Sequence, residues 1–324
     1  MIRLLLSSLA LFVSIASFSQ KQRSNKEILD SLKQNDATVK MLDELDKHSS
    51  YFKVGVGLGN QLLSVNNKAL DASQTNNKLI ITPNIGYYHK SGFGISVAGY
   101  FLNDSGSTKF YQSALTPSYE LDADDFGFGV SYTRYFPKDK YGGSNSPIQN
   151  DFYTNVLFKK TWLEPGVALG YSNGIYKEIN VVTVNFPNIG PRTFTDTAST
   201  KTTALSLIGT IEHTFDFDNI FSSSDLLNFT PAIMLNAGSN KLITTHKNKY
   251  SAFVDQNSNR RRLRGNSQSD ITSFTLQSVG LNLGITYSIG SFIFEPQLYL
   301  DYYLHTSDTK KFTQVYNINA AFTF

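Results

Sequence analysis

The chain has no cysteine in its 324 residues. That excludes disulfide bridges, thiolate metal sites and a lipid anchor carried on cysteine. Beyond residue 20 it has no apolar run of the roughly 18 residues that a membrane-spanning helix needs. Tryptophan is almost missing, with one residue against 18 tyrosines and 24 phenylalanines. His48, His89, His213, His246 and His305 never fall in a His-Glu-x-x-His spacing. There is no Gly-x-Ser-x-Gly, no phosphate loop and no dinucleotide fingerprint. No metal site and no cofactor is expected from such a chain. The net charge is only +3, so its distribution says more than its size.

What is present is alternation. From Phe312 to Phe324, the residues Phe312, Tyr316, Ile318, Ala320, Phe322 and Phe324 share one parity, and Thr313, Asn317, Asn319 and Thr323 share the other. A period of two marks a strand with one apolar and one polar side. The same pattern predicts about twelve strands: 51–64, 78–89, 92–102, 109–121, 125–136, 151–160, 161–174, 200–216, 225–239, 270–288, 290–304 and 311–324. Connections then sort by parity. Those at 65–77, 103–108, 137–150, 175–199, 240–269 and 305–310 fall at one end, and most are long. Those at 90–91, 122–124, near Lys160, 217–224 and 289–290 fall at the other and are mostly tight. Short turns at one end and long loops at the other are the habit of membrane barrels. A chain without a membrane-spanning helix can cross a bilayer only as a closed barrel, because every backbone group must then find a partner between strands.

The first fifty residues are of another kind. Met1-Ile2-Arg3 followed by the apolar run Leu4–Phe18, with small Ser17 and Ser19, predicts a signal peptide over 1–19. Over 20–50, Ile28, Leu29, Leu32, Val39, Met41, Leu42 and Leu45 recur at helical spacing, and Ser24 and Asp36 suit N-caps. This predicts a short helical segment, either a periplasmic extension or a plug in the lumen. Residues 24–47 could also dock a periplasmic partner.

Five prolines recur on apolar faces: Pro83, Pro117, Pro165, Pro231 and Pro296. Proline removes a ladder donor, so a repeated bulge that curves the wall is expected there. Face assignment also gives a lumen set. Glu120, Glu164, Glu212, Glu295, Gln297, Asp301, Lys53 and Lys159 all fall on the polar parity of their strands. A carboxylate against lipid costs a few kcal/mol, which favours the inward choice. A lining rich in carboxylates would prefer cations. The segment 240–269 carries Lys241, Lys247, Lys249, Arg260, Arg261, Arg262 and Arg264 against the single acid Asp255. It reads as a basic extracellular loop meeting lipopolysaccharide phosphates. Nucleic acid is a poor partner for an exported barrel.

The alternating C-terminal strand ending in Phe324 resembles the assembly signal of outer-membrane β-barrels, carried here by Tyr316, Ile318, Phe322 and Phe324. That resemblance implies recognition by the barrel-assembly machinery and residence in a Gram-negative outer membrane, among its lipids. The Phe18-Ser19-Gln20 signal end and the Asn/Thr/Tyr-rich strands resemble outer-membrane barrel proteins of Bacteroidota. His305-Thr306-Ser307 has the spacing of outer-membrane phospholipases, but Asp308 stands where that family has Asn. His305 and Ser307 are thus remote candidates for lipid hydrolysis, and no enzyme is expected. The expectation is an all-β, antiparallel up-and-down transmembrane barrel over 51–324, monomeric, with a short N-terminal helical segment. Its leading function is passive passage of small polar or cationic solutes. A non-conducting barrel that presents the basic loop is the alternative.

Overall fold

The structure is a computed structural model that describes residues 49–60, 79–104, 107–138, 148–186, 190–222, 224–248, 267–271, 273–304 and 311–324. Expectations for the signal peptide at 1–19, for the helical segment before Ser49, and for Lys249, Arg260, Arg261, Arg262, Arg264, His305 and Ser307 lie outside the described residues. Tyr51–Phe324 form one compact unit.

The strands are β1 (Tyr51–Gly59), β2 (Ile80–Tyr88), β3 (Phe93–Asp104), β4 (Ser107–Asp122), β5 (Phe126–Pro137), β6 (Asn150–Phe158) and β7 (Glu164–Phe186). They continue as β8 (Gly190–Glu212), β9 (Phe215–Asp218), β10 (Asp225–Asn248), β11 (Ser267–Ile271), β12 (Thr275–Ile289), β13 (Phe292–Tyr303) and β14 (Phe312–Thr323). Each pairs antiparallel with its neighbours, and β1 pairs with β14. The closing seam is completed by Phe52 and Phe324, whose backbones exchange hydrogen bonds of 3.0 and 2.9 Å. The sheet therefore has no edge through the barrel, and the chain is an all-β, closed antiparallel barrel of twelve wall strands.

Twelve and fourteen reconcile because two wall strands are interrupted. β9 pairs β10 in the same register as β8 does, so it is the continuation of β8. The gap at His213 and Thr214 lies opposite Thr230 and Pro231. Pro231 has no N–H to give to the ladder, and the pairing lapses there. β11 likewise continues β12 along β10, but there the register moves by one residue across the break and no proline lies at it. The expected bulges at the prolines are corrected. Beside Pro83, Pro117 and Pro296 one ladder skips two pairs and resumes in an unchanged register. The register shifts elsewhere, between Tyr100 and Phe101 and between Asn236 and Ala237. The first of these leaves Tyr111 as the extra residue of a bulge, and Tyr111 is buried.

Alternation sets the two surfaces. Val54, Val56, Leu58, Ile85, Ile95, Val97, Val167, Leu169, Ile233 and Leu235 are all exposed on the outside. Aromatic side chains rim this aliphatic band. Phe52, Phe93, Phe126, Phe158, Trp162 and Phe322 stand exposed near the tight turns, and Phe136, Tyr171, Tyr302 and Phe312 near the long connections. The rings of Trp162 and His213 lie 4.8 Å apart with their planes tilted by 39°, and His213 meets Phe215 edge-on at 4.6 Å. A soluble protein rarely exposes so large an apolar patch. An aliphatic band between aromatic girdles is the exterior of a bilayer-spanning barrel. Among the described residues no helix is long and apolar enough to cross a membrane.

Two connections are shorter than the alternation implies. β7 and β8 stay paired up to Phe186 and Gly190, far beyond Asn173, where β6 stops pairing with β7. β10 accompanies β8 to Asn248. Residues expected in the loops 175–199 and 240–269 thus build a sheet of β7, β8, β10 and β11 that rises past the rim. Lys241 and Lys247 lie on β10, not in a loop.

Candidate functional site: the barrel interior

The interior divides along the barrel axis. Near the turn end, which also carries the start of β1 and the end of β14, the inward residues are mostly small or charged, with Tyr51 and Tyr88 stacked at 5.1 Å among them. Glu120 lies near the end of β4, Glu164 opens β7, Glu212 closes β8 and Glu295 is the fourth residue of β13. All four point inward from the same end. Glu164 and Glu212 are direct partners across the β7–β8 ladder. The two lumenal lysines sit at this end too. Lys53 Nζ donates to Glu295 at 3.1 Å, and Asn319 Nδ2 donates to the same carboxylate at 2.7 Å. Lys159 is ion-paired with Asp122. Glu164 makes no ion pair among the described residues.

These side chains border water-sized space. A chamber of about 440 Å³ is lined by Lys53, Asn84, Thr116, Glu295, Gln297 and Asn319, among others. A second, of about 460 Å³, is lined by Glu120, Asp122, Ser131, Asn155 and Gln297. Glycines make the room. Gly57 on β1 and Gly284 on β12 both border the first chamber.

Toward the loop end the interior is packed. One buried cluster joins Ile80, Tyr100, Leu102, Tyr111, Tyr135 and Ile148 with Ala114 and Ala204. A second joins Ala168, Ile208, Met234, Tyr299 and Val315, with Tyr153 against it. Tyr135, Ile80, Ile148, Ile208 and Tyr299 are each 2 % exposed or less. Asp301 belongs to this layer and not to an open wall, being 1 % exposed. Its Oδ1 accepts from Tyr299 Oη at 3.0 Å, and Asn236 Nδ2 donates to Tyr299 Oη at 2.6 Å and to Ser278 Oγ at 3.0 Å. The ring of Tyr299 lies over Gly280, where a Cβ would come within 2.7 Å of its Cζ. Glycine is required there by this close approach.

The structure thus gathers Glu120, Glu164, Glu212, Glu295, Gln297, Lys53 and Lys159 at one mouth and sets Asp301 apart in a packed septum. Tyr316, Ile318, Phe322 and Phe324 all face outward. Sequence reasoning missed the septum residues Tyr135, Tyr153, Tyr299 and Asn236. The one signal is parity: the three tyrosines fall on the polar face of their strands, where a bulky ring is out of place, and Asn236 gives none.

No protein-family model matches the sequence, and no curated protein matches it. Solved structures similar in strand layout include the NanC porin (8% identity, 85% of this chain and 99% of that chain, TM-score 0.32). The CymD monoaromatic hydrocarbon channel covers 85% of this chain and 87% of its own at 9% identity and a TM-score of 0.36. The RagAB peptide transporter gives 8% identity, 83% and 44% coverage and a TM-score of 0.34. Likeness this weak assigns neither family nor activity; the barrel stands on its own closed register.

Proposed function

We propose that the protein is an outer-membrane barrel of a Gram-negative bacterium that conducts small cations and small polar solutes through a path shut at mid-height. In this reading the turn end is periplasmic, and the barrel is a monomer assembled through its C-terminal strand. The observation that carries it is the set of four inward glutamates at the turn end, of which Glu295 and Glu120 line the two chambers. Carboxylates in a confined, low-dielectric opening raise the local cation concentration. The packed layer of Tyr299, Met234, Ile208 and Tyr135 closes the path beyond. Opening requires those side chains to move, so conductance is small and intermittent. The test is the reversal potential of the mature chain in a planar bilayer under a salt gradient. Replacing Glu120, Glu164, Glu212 and Glu295 together by Gln abolishes cation preference; an unchanged potential would refute the lining.

A second reading is favoured by the packed layer and by the sheet that rises past the loop-end rim. The barrel would then be non-conducting and would display that sheet and the basic segment 249–264 to surface ligands such as lipopolysaccharide. A folded barrel that never opens in the bilayer would support it.

A further inference from the structure

Around Glu212 the wall leaves a recess between the acidic mouth and the packed layer. Its base is one row of the sheet. Glu164 on β7 pairs with Glu212 on β8, Glu212 with Ala232 on β10, and Ala232 with Asn282 on β12. Ala232 is buried and has only a methyl group, so among the described residues of that row no larger side chain stands between the carboxylate and the amide. Adjacent strands are about 4.8 Å apart, so the two backbones flanking Ala232 are about 10 Å apart. The side chains of Glu212 and Asn282 shorten that gap from both sides. The enclosed volume is about 110 Å³, with Tyr153, Thr210 and Met234 along its sides and Ala168 beyond.

Asn282 gives the recess its chemistry. It is 5% exposed, and its Oδ1 has no hydrogen-bond partner among the described residues. A buried amide oxygen left bare costs on the order of 1–3 kcal/mol, which a donor entering the recess would recover. The other polar groups are the Glu212 carboxylate, the hydroxyls of Thr210 and Tyr153 and the amide of Asn155, each with an oxygen able to accept. Glu164 beside Glu212 deepens the negative potential, because like charges opposite each other on a ladder repel. The recess therefore asks for a cation that donates several hydrogen bonds. A metal ion fits poorly, since among the described residues no three metal-binding acidic, histidine or cysteine side chains come together. A quaternary ammonium has no N–H to donate. Met234 and Ala168 offer an apolar wall at the inner end.

We propose that this recess binds a small primary ammonium ion with a short aliphatic tail. The ammonium donates to the Glu212 carboxylate, to Asn282 Oδ1 and to a hydroxyl of Thr210 or Tyr153, and the tail packs on Met234 and Ala168. The site builds on the reading of the mouth as a cation path and names the solute class that path would select.

The test is calorimetric titration of the refolded mature chain in detergent micelles with n-propylammonium chloride at fixed ionic strength. Saturable binding at one site is expected. Glu212→Gln and Asn282→Leu should each weaken it at least tenfold. Asn282→Asp, which keeps an acceptor, should bind at least as tightly, and Asp125→Asn in the tight turn between β4 and β5 should leave it unchanged. Tetramethylammonium and propanol should not compete. Absence of saturable binding, equal affinity in the Gln and Leu variants, or competition by tetramethylammonium would overturn the site. Binding in micelles does not require conduction. A barrel that binds but stays silent in a bilayer would sink the channel reading and keep the site; a conducting barrel without binding would do the reverse.

Discussion

Gly280 is the position where one added carbon should matter most. An alanine Cβ there would fall 2.5 Å from Tyr299 Oη and 2.7 Å from Cζ, distances that no relaxed packing allows. The ring cannot yield sideways easily, because its hydroxyl is tied to Asn236 and Asp301 at 2.6 and 3.0 Å. Overpacking of this kind costs about 1–3 kcal/mol. Losing the hydroxyl contacts adds about 1 kcal/mol or more, since one partner is a carboxylate. Gly280→Ala should therefore destabilise the barrel by about 2–4 kcal/mol. Gly284 is the internal control, on the same strand and the same face. Its nearest neighbour would be the Thr230 carbonyl oxygen at 3.7 Å, an ordinary contact. Gly284→Ala should stay within about 0.5 kcal/mol of the parent. Urea unfolding of both variants from lipid vesicles, followed by far-UV circular dichroism, measures the difference. Equal midpoints for the two alanine variants would refute the placement of the Tyr299 ring.

Lys53→Met should cost more than the double change Lys53→Met with Glu295→Gln, by on the order of 1–2 kcal/mol, because the single change strands a half-buried carboxylate that solvent only partly screens. The same unfolding assay reads it, and equal costs would deny the pair a role. Asp225 binds the backbone N–H groups of Ile220, Phe221 and Ser222 at 2.8–3.0 Å and the hydroxyl of Tyr287 at 3.1 Å. Asp225→Ala should speed amide exchange at those three residues and leave the exchange of β3 and β4 unaltered. Uniform acceleration around the barrel would show that the carboxylate does more than hold its turn.

Much of the wall was legible in the sequence because a strand's period of two is geometric and the bilayer rewards it on every strand. Twelve alternating stretches became twelve wall strands, and the inward parity of residues such as Glu120 and Glu295 followed from the same count. Turn residues agree: Gly92 and Gly290 close two tight turns with φ of +90° and +54°. What alternation could not show lies where its cause is missing. Past the rim, β8 carries threonine on both faces (Thr193, Thr195 and Thr197 against Thr200 and Thr202) and β7 carries valine on both (Val181 against Val182), with no hydrocarbon to sort them, so residues such as Thr183 and Thr193 read as loop. The lumenal septum was hidden for another reason. Tyr299 pairs with Asn282, yet its ring covers Gly280, the neighbour one row along. Such diagonal contacts depend on strand register and tilt, which single-strand patterns do not contain. Prolines misled for a related reason: a lost donor interrupts a ladder without having to shift it.

The most direct test of a cation path shut by a packed septum is single-channel recording of the parent chain beside Tyr299→Ala. The parent should show rare, small, cation-selective openings. The variant should show larger and longer ones with the same cation preference, because the ring is lost while the glutamate mouth is kept. Silence in both, or openings in the variant that prefer anions, would contradict the account.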